Sequence, residues 1–421
     1  MSNKISLVIL YSRFEDVSVI EKRLETELSY FKNISNVKIE IAFINSVDNC
    51  THFLANSADS NSTILLIASG GTEEYAKTLI EVNEHPFLIV SNSKNNSLAA
   101  SLEISAFFRN NKLVKLFYYE NMDEFISGIE NFSLVNNAIE VINNSSFGVI
   151  GEPSDWLLTS KQIKSCGSFK TKLVEIDINE VSEKVGTISK SITASKIEND
   201  YQHKCVHSSE IDNSSKVYDA LKDIISINEV DAITVRCFDL LKHKYTACMA
   251  LSILNDENIV SSCEGDIFAL FTMYVANKLT NKPVWMANPS SVNKEENTLI
   301  LAHCTVPSKM LNNLDESLLT THMESGLSVA IQGPLKKQDV TILRIGGNFD
   351  KILFSTGKIV NADMRNPNLC RTQVKIKLNV NAQTWINNSL GNHQILVYGD
   401  ITNLLTDFCN FTNIEIVDCN K

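Results

Sequence analysis

An acidic residue separates an apolar, strand-like run from a helix-like run in the middle of the chain. Glu264 follows Cys263 in the stretch SSCEGDIFALF, just past the apolar pair Ile259 and Val260. A carboxylate in this position can serve as a general base or as a ligand of a hard divalent cation. The alternative is an acid in the first turn of the following helix, favoured by the helix dipole, and Asp266 fits that role better.

Further polar residues end or interrupt other apolar runs. Asn288 ends the run PVWMAN before a proline, where a simple turn residue is the alternative. Arg236 ends the strand-like AITVRCF, and Trp285 adjoins Asn288, so both are candidates for contacts with a ligand. His303 lies in LILAHCTVP, where a satisfied core histidine is the alternative to a ligand contact. His393 follows Gly-Asn in GNHQILVYGD, at the predicted start of a strand.

The elements around these residues alternate in kind over most of the chain. Short apolar strands alternate with helices in two series, separated by the polar stretch VINNSS. This pattern predicts parallel sheets covered by helices on both faces. We expect two doubly wound α/β domains of the flavodoxin or Rossmann type, over residues 1–142 and 143–290. The Gly70-Gly71 turn in the first series ends a predicted strand, where open α/β sheets bind ligands, although a tight turn is sufficient reason for it.

The pattern changes near residue 298. Several strand-like runs with alternating apolar and polar residues follow one another, separated by Gly, Asn or Lys-Lys turns. Such runs are typical of an antiparallel barrel or sandwich. The sequence therefore predicts a third, β-barrel-like domain over residues 291–421.

Composition excludes several classes of function. The chain has 421 residues, 44% hydrophobic and 21% charged, and a formal net charge of -11. An acidic surface repels phosphate backbones, so we expect no nucleic-acid partner. We predict neither a secretion signal nor a membrane-spanning helix, and the cysteines in apolar runs indicate buried thiols in a reducing cytoplasm. The His203, Cys205 and His207 cluster lies in a polar region without a further cysteine pair at zinc-site spacing.

Three stretches carry a resemblance to a known family. FGVIGEPSDWLLTS, the long segment from SSCEGDIFALF to LILAHCTVP, and GNHQILVYGDITNLL resemble, in this order, the L-fucose isomerase and L-arabinose isomerase superfamily. The chain looks most like compact, divergent, fucose isomerase-like members. The order of the domains agrees over essentially the whole chain, while the detailed match is confined to these stretches.

The resemblance implies a function and a set of site residues. It implies a sugar isomerase whose divalent ion, usually Mn²⁺, is held by a Glu, an Asp and a His. Glu264 matches the Glu, Asn288 stands at the position of the Asp, and His393 matches the His. The resemblance also implies a homo-oligomer, a trimer or hexamer. Arg236, Trp285 and His303 would then contact the sugar.

The chemistry of aldose–ketose isomerisation agrees with this set. An enediol route needs a base that moves a proton between C1 and C2 and a positive centre for the developing oxyanion. Glu264 can be the base. Asn288 cannot, because an amide accepts no proton near neutral pH. The alternative is therefore a sugar-binding or regulatory relative that kept the fold and changed the chemistry. The sequence does not name the sugar.

Overall fold

The computed structural model describes residues 4–33, 38–56 and 60–418. Its chain divides into two compact units. One comprises Met1–Ile139 and Thr406–Asn413, and the other comprises Glu140–Leu405 and Ile414–Lys421. No helix in the described ranges has the length and apolar character that crossing a bilayer requires.

The first unit contains a five-stranded parallel sheet. Its strands are β1 (Lys4–Leu10), β2 (Lys38–Ile44), β3 (Ser62–Ile67), β4 (Phe87–Ser91) and β5 (Val114–Tyr118), in the order β2-β1-β3-β4-β5. The helices are α1 (Val17–Arg23), α2 (Glu25–Asn33), α3 (Val47–Asn56), α4 (Glu73–Glu81), α5 (Ser97–Phe107) and α6 (Met122–Asn143). Along β1, Leu7 and Ile9 belong to one buried cluster and Val8 and Leu10 to another. The sheet is therefore covered on both faces, as its all-apolar strands predict.

The second unit begins with a four-stranded parallel sheet. The strands of this part are β6 (Ser146–Ile150), β7 (Lys172–Ile176), β8 (His203–Lys204), β9 (Ala232–Val235) and β10 (Ser261–Cys263). The sheet has the order β10-β9-β6-β7, and β8 lies outside it. The helices are α7 (Asn179–Thr187), α8 (Thr193–Asp200), α9 (Ser208–Ile227), α10 (Cys248–Asp256) and α11 (Ile267–Thr280), with a 3₁₀ helix at Cys237–His243. The chain leaves β6 toward β7 on one side and later returns to β9 on the other, which makes the carboxyl ends of these strands a ligand-binding edge.

A closed antiparallel barrel of six strands completes the second unit. The remaining strands are β11 (Trp285–Asn293), β12 (Thr298–His303), β13 (Leu318–Thr320), β14 (Ala330–Gln332), β15 (Asp339–Gly346), β16 (Lys351–Asn361), β17 (Thr372–Leu378), β18 (Gln394–Tyr398) and β19 (Glu415–Ile416), and the remaining helices are α12 (Ala382–Asn387), α13 (Thr402–Thr412) and 3₁₀ turns at Ser308–Met310 and Leu314–Glu316. The barrel order is β15-β18-β11-β12-β17-β16, closed by pairing of β16 with β15. The predicted fold class, parallel α/β sheets followed by a C-terminal antiparallel barrel, is confirmed.

One strand was assigned to the wrong sheet. The sequence places PVWMAN at the end of the second α/β series, yet β11 pairs antiparallel with β12 and β18 as a barrel strand. Trp285 and Ala287 point into the barrel core, while the sulfur of Met286 accepts a hydrogen bond from the Cys263 N–H of β10. A strand buried on both faces is apolar throughout, so its sequence does not reveal its partners.

Candidate active site

The candidate site starts where β10 ends. Cys263 is the last residue of β10, and Glu264 and Gly265 follow in left-handed conformation, with φ of 64° and 71°. A non-glycine residue in this region costs on the order of 1–3 kcal/mol and is typical of functional loops. Gly265 allows a close approach, because a Cβ there would lie 2.8 Å from the Glu152 carbonyl oxygen and from Pro153 Cα. Glu264 is buried in this tight loop, with 7% of its surface exposed.

Both oxygens of the Glu264 carboxylate have nitrogen neighbours. Oε2 accepts a hydrogen bond of 2.5 Å from Trp156 Nε1, and Oε1 lies 3.4 Å from His393 Nε2. Burial raises the pKa of Glu264, but the His393 imidazole and the Trp156 N–H outweigh it, so the pKa is lowered overall. Glu264 is therefore a buried carboxylate that stays ionised near neutral pH, as a base or a cation ligand must.

His393 is oriented by a buried ion pair that the sequence did not predict. Its Nδ1 lies 2.8 Å from Asp266 Oδ2, and Arg344 donates to both oxygens of Asp266, at 2.9 and 3.1 Å. Burial raises the pKa of Asp266, but Arg344 and His393 together lower it well below its usual range. All three side chains are at most 1% exposed.

The charged Asp266 fixes the tautomer of His393. As the acceptor of a hydrogen bond, it requires the proton on Nδ1, so Nε2 is the ring nitrogen that faces Glu264 and would bind a cation there. Metal-bound histidines are commonly held in this way by a carboxylate. The expected role of Asp266 is also present, since its Oδ1 accepts from Ala269 N as the N-cap of α11.

Two predicted metal ligands each have a buried polar atom without a hydrogen-bond partner among the described residues. These atoms are His393 Nε2 and Asn288 Oδ1. The β11–β18 register pairs Met286 with Ile395 and Ala287 with Gln394, and continuing this register by one residue would set Asn288 opposite His393. An unsatisfied buried acceptor costs about 1–3 kcal/mol. A cation beside Glu264 would satisfy both acceptors, so the residues present fit a divalent ion.

His303 lies in the same cluster. Its ring centroid is 5.8 Å from that of His393, and its Nδ1 is 2.8 Å from Thr305 Oγ1. Burial, and then the neighbouring His393, lower the pKa of His303 to about 4, so the imidazole is neutral at physiological pH. The ligand atoms of Cys263, Glu264 and His303 all lie within 4.8 Å of one another. His303 therefore lies at the predicted site, with a neutral nitrogen for ligation.

Trp285 lies in the barrel core, which corrects its expected place on a ligand surface. It is 0% exposed and packed among the aliphatic residues of the barrel. The aromatic residue beside Glu264 is Trp156, which is 52% exposed and packs edge-to-face on Phe238 at 5.0 Å. Trp156 belongs to the stretch GEPSDW, which follows a predicted strand. This position was the sequence feature that could have indicated Trp156 as a site residue.

Arg236 holds a loop. Its guanidinium donates to the Pro153 carbonyl at 2.6 Å and pairs with Asp155 at 3.2 Å and with Asp239 at 3.1 Å. These contacts support the loop that leads to Trp156. The contact of Arg236 with a sugar stays a prediction.

The two remaining motifs of the sequence lie elsewhere. Gly70 and Gly71, at the carboxyl end of β3, line a cavity of about 520 Å³. His203 lies in the exposed strand β8, and His207 precedes α9. Within the described ranges, the His203 region forms no cluster of metal-ligand groups.

Comparison with known proteins finds similar proteins that all carry the name sulfoquinovose isomerase. The chain is 22% identical over 430 residues to the sulfoquinovose isomerase of Priestia megaterium, with 95% of each chain covered. It is 21% identical over 337 residues to that of Alkalicoccus urumqiensis, covering 77% of this chain and 76% of the relative. It is 24% identical over 211 residues to that of a Clostridium species, covering 48% and 46%. No family model matches the sequence. The chain is thus similar over nearly its whole length to proteins named as isomerases of a sugar.

Proposed function

We propose that this protein is a metal-dependent aldose–ketose isomerase of the fucose isomerase-like kind, acting on a small sugar through an enediol. The observation that carries the proposal is the buried Glu264 carboxylate with His393 Nε2, which has no hydrogen-bond partner among the described residues, 3.4 Å from its Oε1. The similarity to sulfoquinovose isomerases makes sulfoquinovose, a glucose derivative with a sulfonate at C6, the first substrate to test.

Glu264 is the residue that moves the proton. It is ionised, buried and held in place by Trp156, so its carboxylate can take the proton from C2 of the open-chain aldose and return it to C1. The product has the same formula as the substrate, so no redox partner is needed. Because the Asn288 amide cannot act as a base near neutral pH, Glu264 serves both carbons from one face.

Glu264, His393 and Asn288 would hold the divalent cation, Mn²⁺ or a related ion. The bound ion supplies positive charge that stabilises the developing oxyanion on the sugar. Asp266 and Arg344 keep His393 in the required tautomer. We also expect a homo-oligomer, which the molar mass in solution would test.

A second candidate function follows from Asn288. The amide removes one negative charge from the ligand set and one group that could act as a base. A relative that binds a sugar and does not isomerise it would tolerate this change.

Proton exchange in D₂O tests the two candidates. Sulfoquinovose, L-fucose and L-arabinose are each incubated with the protein, with and without Mn²⁺, and deuterium incorporation at C1 or C2 is followed by NMR. Isomerisation with deuterium incorporation that is lost in Glu264→Gln supports the enzyme, with the exposed Glu296→Gln as a control. Binding of a sugar by calorimetry without turnover supports the second candidate. If the protein neither binds nor converts any of these sugars, both candidate functions are rejected.

A further inference from the structure

A buried thiol belongs to the same cluster as the candidate base. Cys263 Sγ, a carboxylate oxygen of Glu264 and a ring nitrogen of His303 lie within 4.8 Å of one another, and the three residues are at most 7% exposed. Bonds of about 2.0–2.3 Å to one tetrahedral ion place ligand atoms roughly 3.3–3.8 Å apart. Side-chain shifts of about an ångström would therefore bring these three atoms to one ion.

The fourth donor is the unpartnered nitrogen of His393. Its Nε2 lies 3.4 Å from Glu264 Oε1, which is already the separation of two ligands on one ion. Cys263, Glu264 and His303 thus offer one sulfur, one oxygen and one nitrogen within 4.8 Å of one another, and His393 Nε2 lies beside the Glu264 oxygen. His303 and His393 have ring centroids 5.8 Å apart at 78°, so their planes are not stacked and can approach one ion from different directions.

The charge of the site gives an independent reason for a thiolate ligand. A site of Glu, Asn and neutral His carries a charge of only -1 against a dication. Loss of the Cys263 proton on metal binding, Cys–SH + M²⁺ → Cys–S–M⁺ + H⁺, restores a total ligand charge of -2. This is the charge that a Glu and Asp pair would supply.

We infer that Cys263 and His303 join Glu264 and His393 as metal ligands, so that a thiolate replaces the carboxylate missing at position 288. The inference deepens the proposed function, because it concerns the same ion. A sulfur and nitrogen donor set selects borderline ions such as Zn²⁺ and Co²⁺ more strongly than an oxygen set does, at the expense of Mn²⁺.

The Cys263 thiol lies next to a second thiol, that of Cys237. Cys237 Sγ lies 2.9 Å from Cys263 Sγ, so oxidation could remove the proposed ligand. The experiment is therefore done with a phosphine reductant throughout. Variants at Cys263 and Cys237 distinguish which of the two sulfurs binds the ion.

Cobalt(II) reports directly on sulfur ligation. Metal-stripped protein is titrated with Co²⁺, and the near-ultraviolet thiolate-to-cobalt charge-transfer band is recorded. We expect the band in the wild type, its loss in Cys263→Ser, and its retention in Cys237→Ser. Cys166→Ser, a change at another buried thiol of the same unit, is the matched control. In His303→Gln we expect the band with a Kd for Co²⁺ raised at least tenfold, which tests the inference even if Cys263→Ser fails to fold.

Metal selectivity gives the second readout. The ratio of the Mn²⁺ Kd to the Co²⁺ Kd should fall at least tenfold in Cys263→Ser. Cobalt binding without the band, or a band that persists in Cys263→Ser, would overturn the ligand assignment. Isomerisation that depends on Glu264 without a thiolate band would overturn the ligand set alone and leave the proposed function standing. A band in a protein without isomerase activity would support the ligand set and count against the function.

Discussion

Replacing Arg344 by Met tests the buried ion pair that orients His393. Arg344 and Asp266 are 1% and 0% exposed and share two hydrogen bonds. The substitution keeps a long apolar stem in the barrel strand β15 and removes the charge. It leaves the Asp266 carboxylate buried beside His393 without its cation.

The expected loss of stability is large. Removing one partner of a buried ion pair costs about 3–5 kcal/mol, because the remaining charge has lost its solvation and its counter-charge. For a unit of this size, that corresponds to a fall in Tm of roughly 6–20 °C. The N-cap contact of Asp266 with Ala269 N remains, so the loss reports mainly on the missing cation.

Thermal and urea unfolding of matched variants would measure this loss. Arg365→Met is the control, because Arg365 is 68% exposed and pairs with Asp363 at the surface. An exposed pair contributes about 0–1 kcal/mol. In the double variant Arg344→Met with Asp266→Asn, we expect a loss at least about 1 kcal/mol smaller than the sum of the single losses. Equal losses for Arg344→Met and Arg365→Met would refute an ionised, buried Asp266.

Three further predictions concern other side chains. Trp156→Phe removes the donor to Glu264 Oε2 and should lower kcat/KM of the proposed isomerisation about tenfold or more, with little change in Tm, since a hydrogen bond to a charged group is worth about 1.5–3 kcal/mol. Trp285→Ala should cost about 3–5 kcal/mol of stability by urea unfolding; a raised KM without this loss would contradict its place in the barrel core. Burial lowers the pKa of His85, so the folded state favours the neutral ring. The stability of the first unit should fall as pH drops below the unfolded value of about 6.5, and His85→Gln should remove this dependence in Tm measured from pH 8 to pH 5.

The alternation of apolar strands and helices predicted much of the fold correctly. Runs such as ILLI within β3 and AITV at β9 are apolar at every or nearly every position, which only a strand covered on both faces requires. The change to alternating runs after residue 298 predicted the antiparallel barrel in the same way. The same pattern does not predict which strands pair. The sequence of β11 is typical of a parallel strand, yet β11 is an antiparallel strand of the barrel.

The sequence likewise predicted some residues of the candidate site and missed others. The sequence nominated Glu264, Asn288 and His393, and it identified Asp266 as a helix cap. It did not predict that Arg344, from a strand 78 residues away, neutralises Asp266, or that Trp156 donates to Glu264 from 108 residues away. An arginine within the apolar run DVTILRIGG was the available signal for a buried ion pair, but its partner depends on which helix packs on that strand.

The sequence alone determined the kinds of elements and the residue types that the chemistry needs, because periodicity and local turn preferences act over a few neighbouring residues. The tertiary structure decided which of those residues meet. It placed Trp285 among the aliphatic side chains of the barrel core and Trp156 beside the Glu264 carboxylate, and it brought Cys263 and His303 close to Glu264. These contacts depend on how the barrel closes and packs on α11, and such long-range packing has no counterpart in the local pattern of the chain.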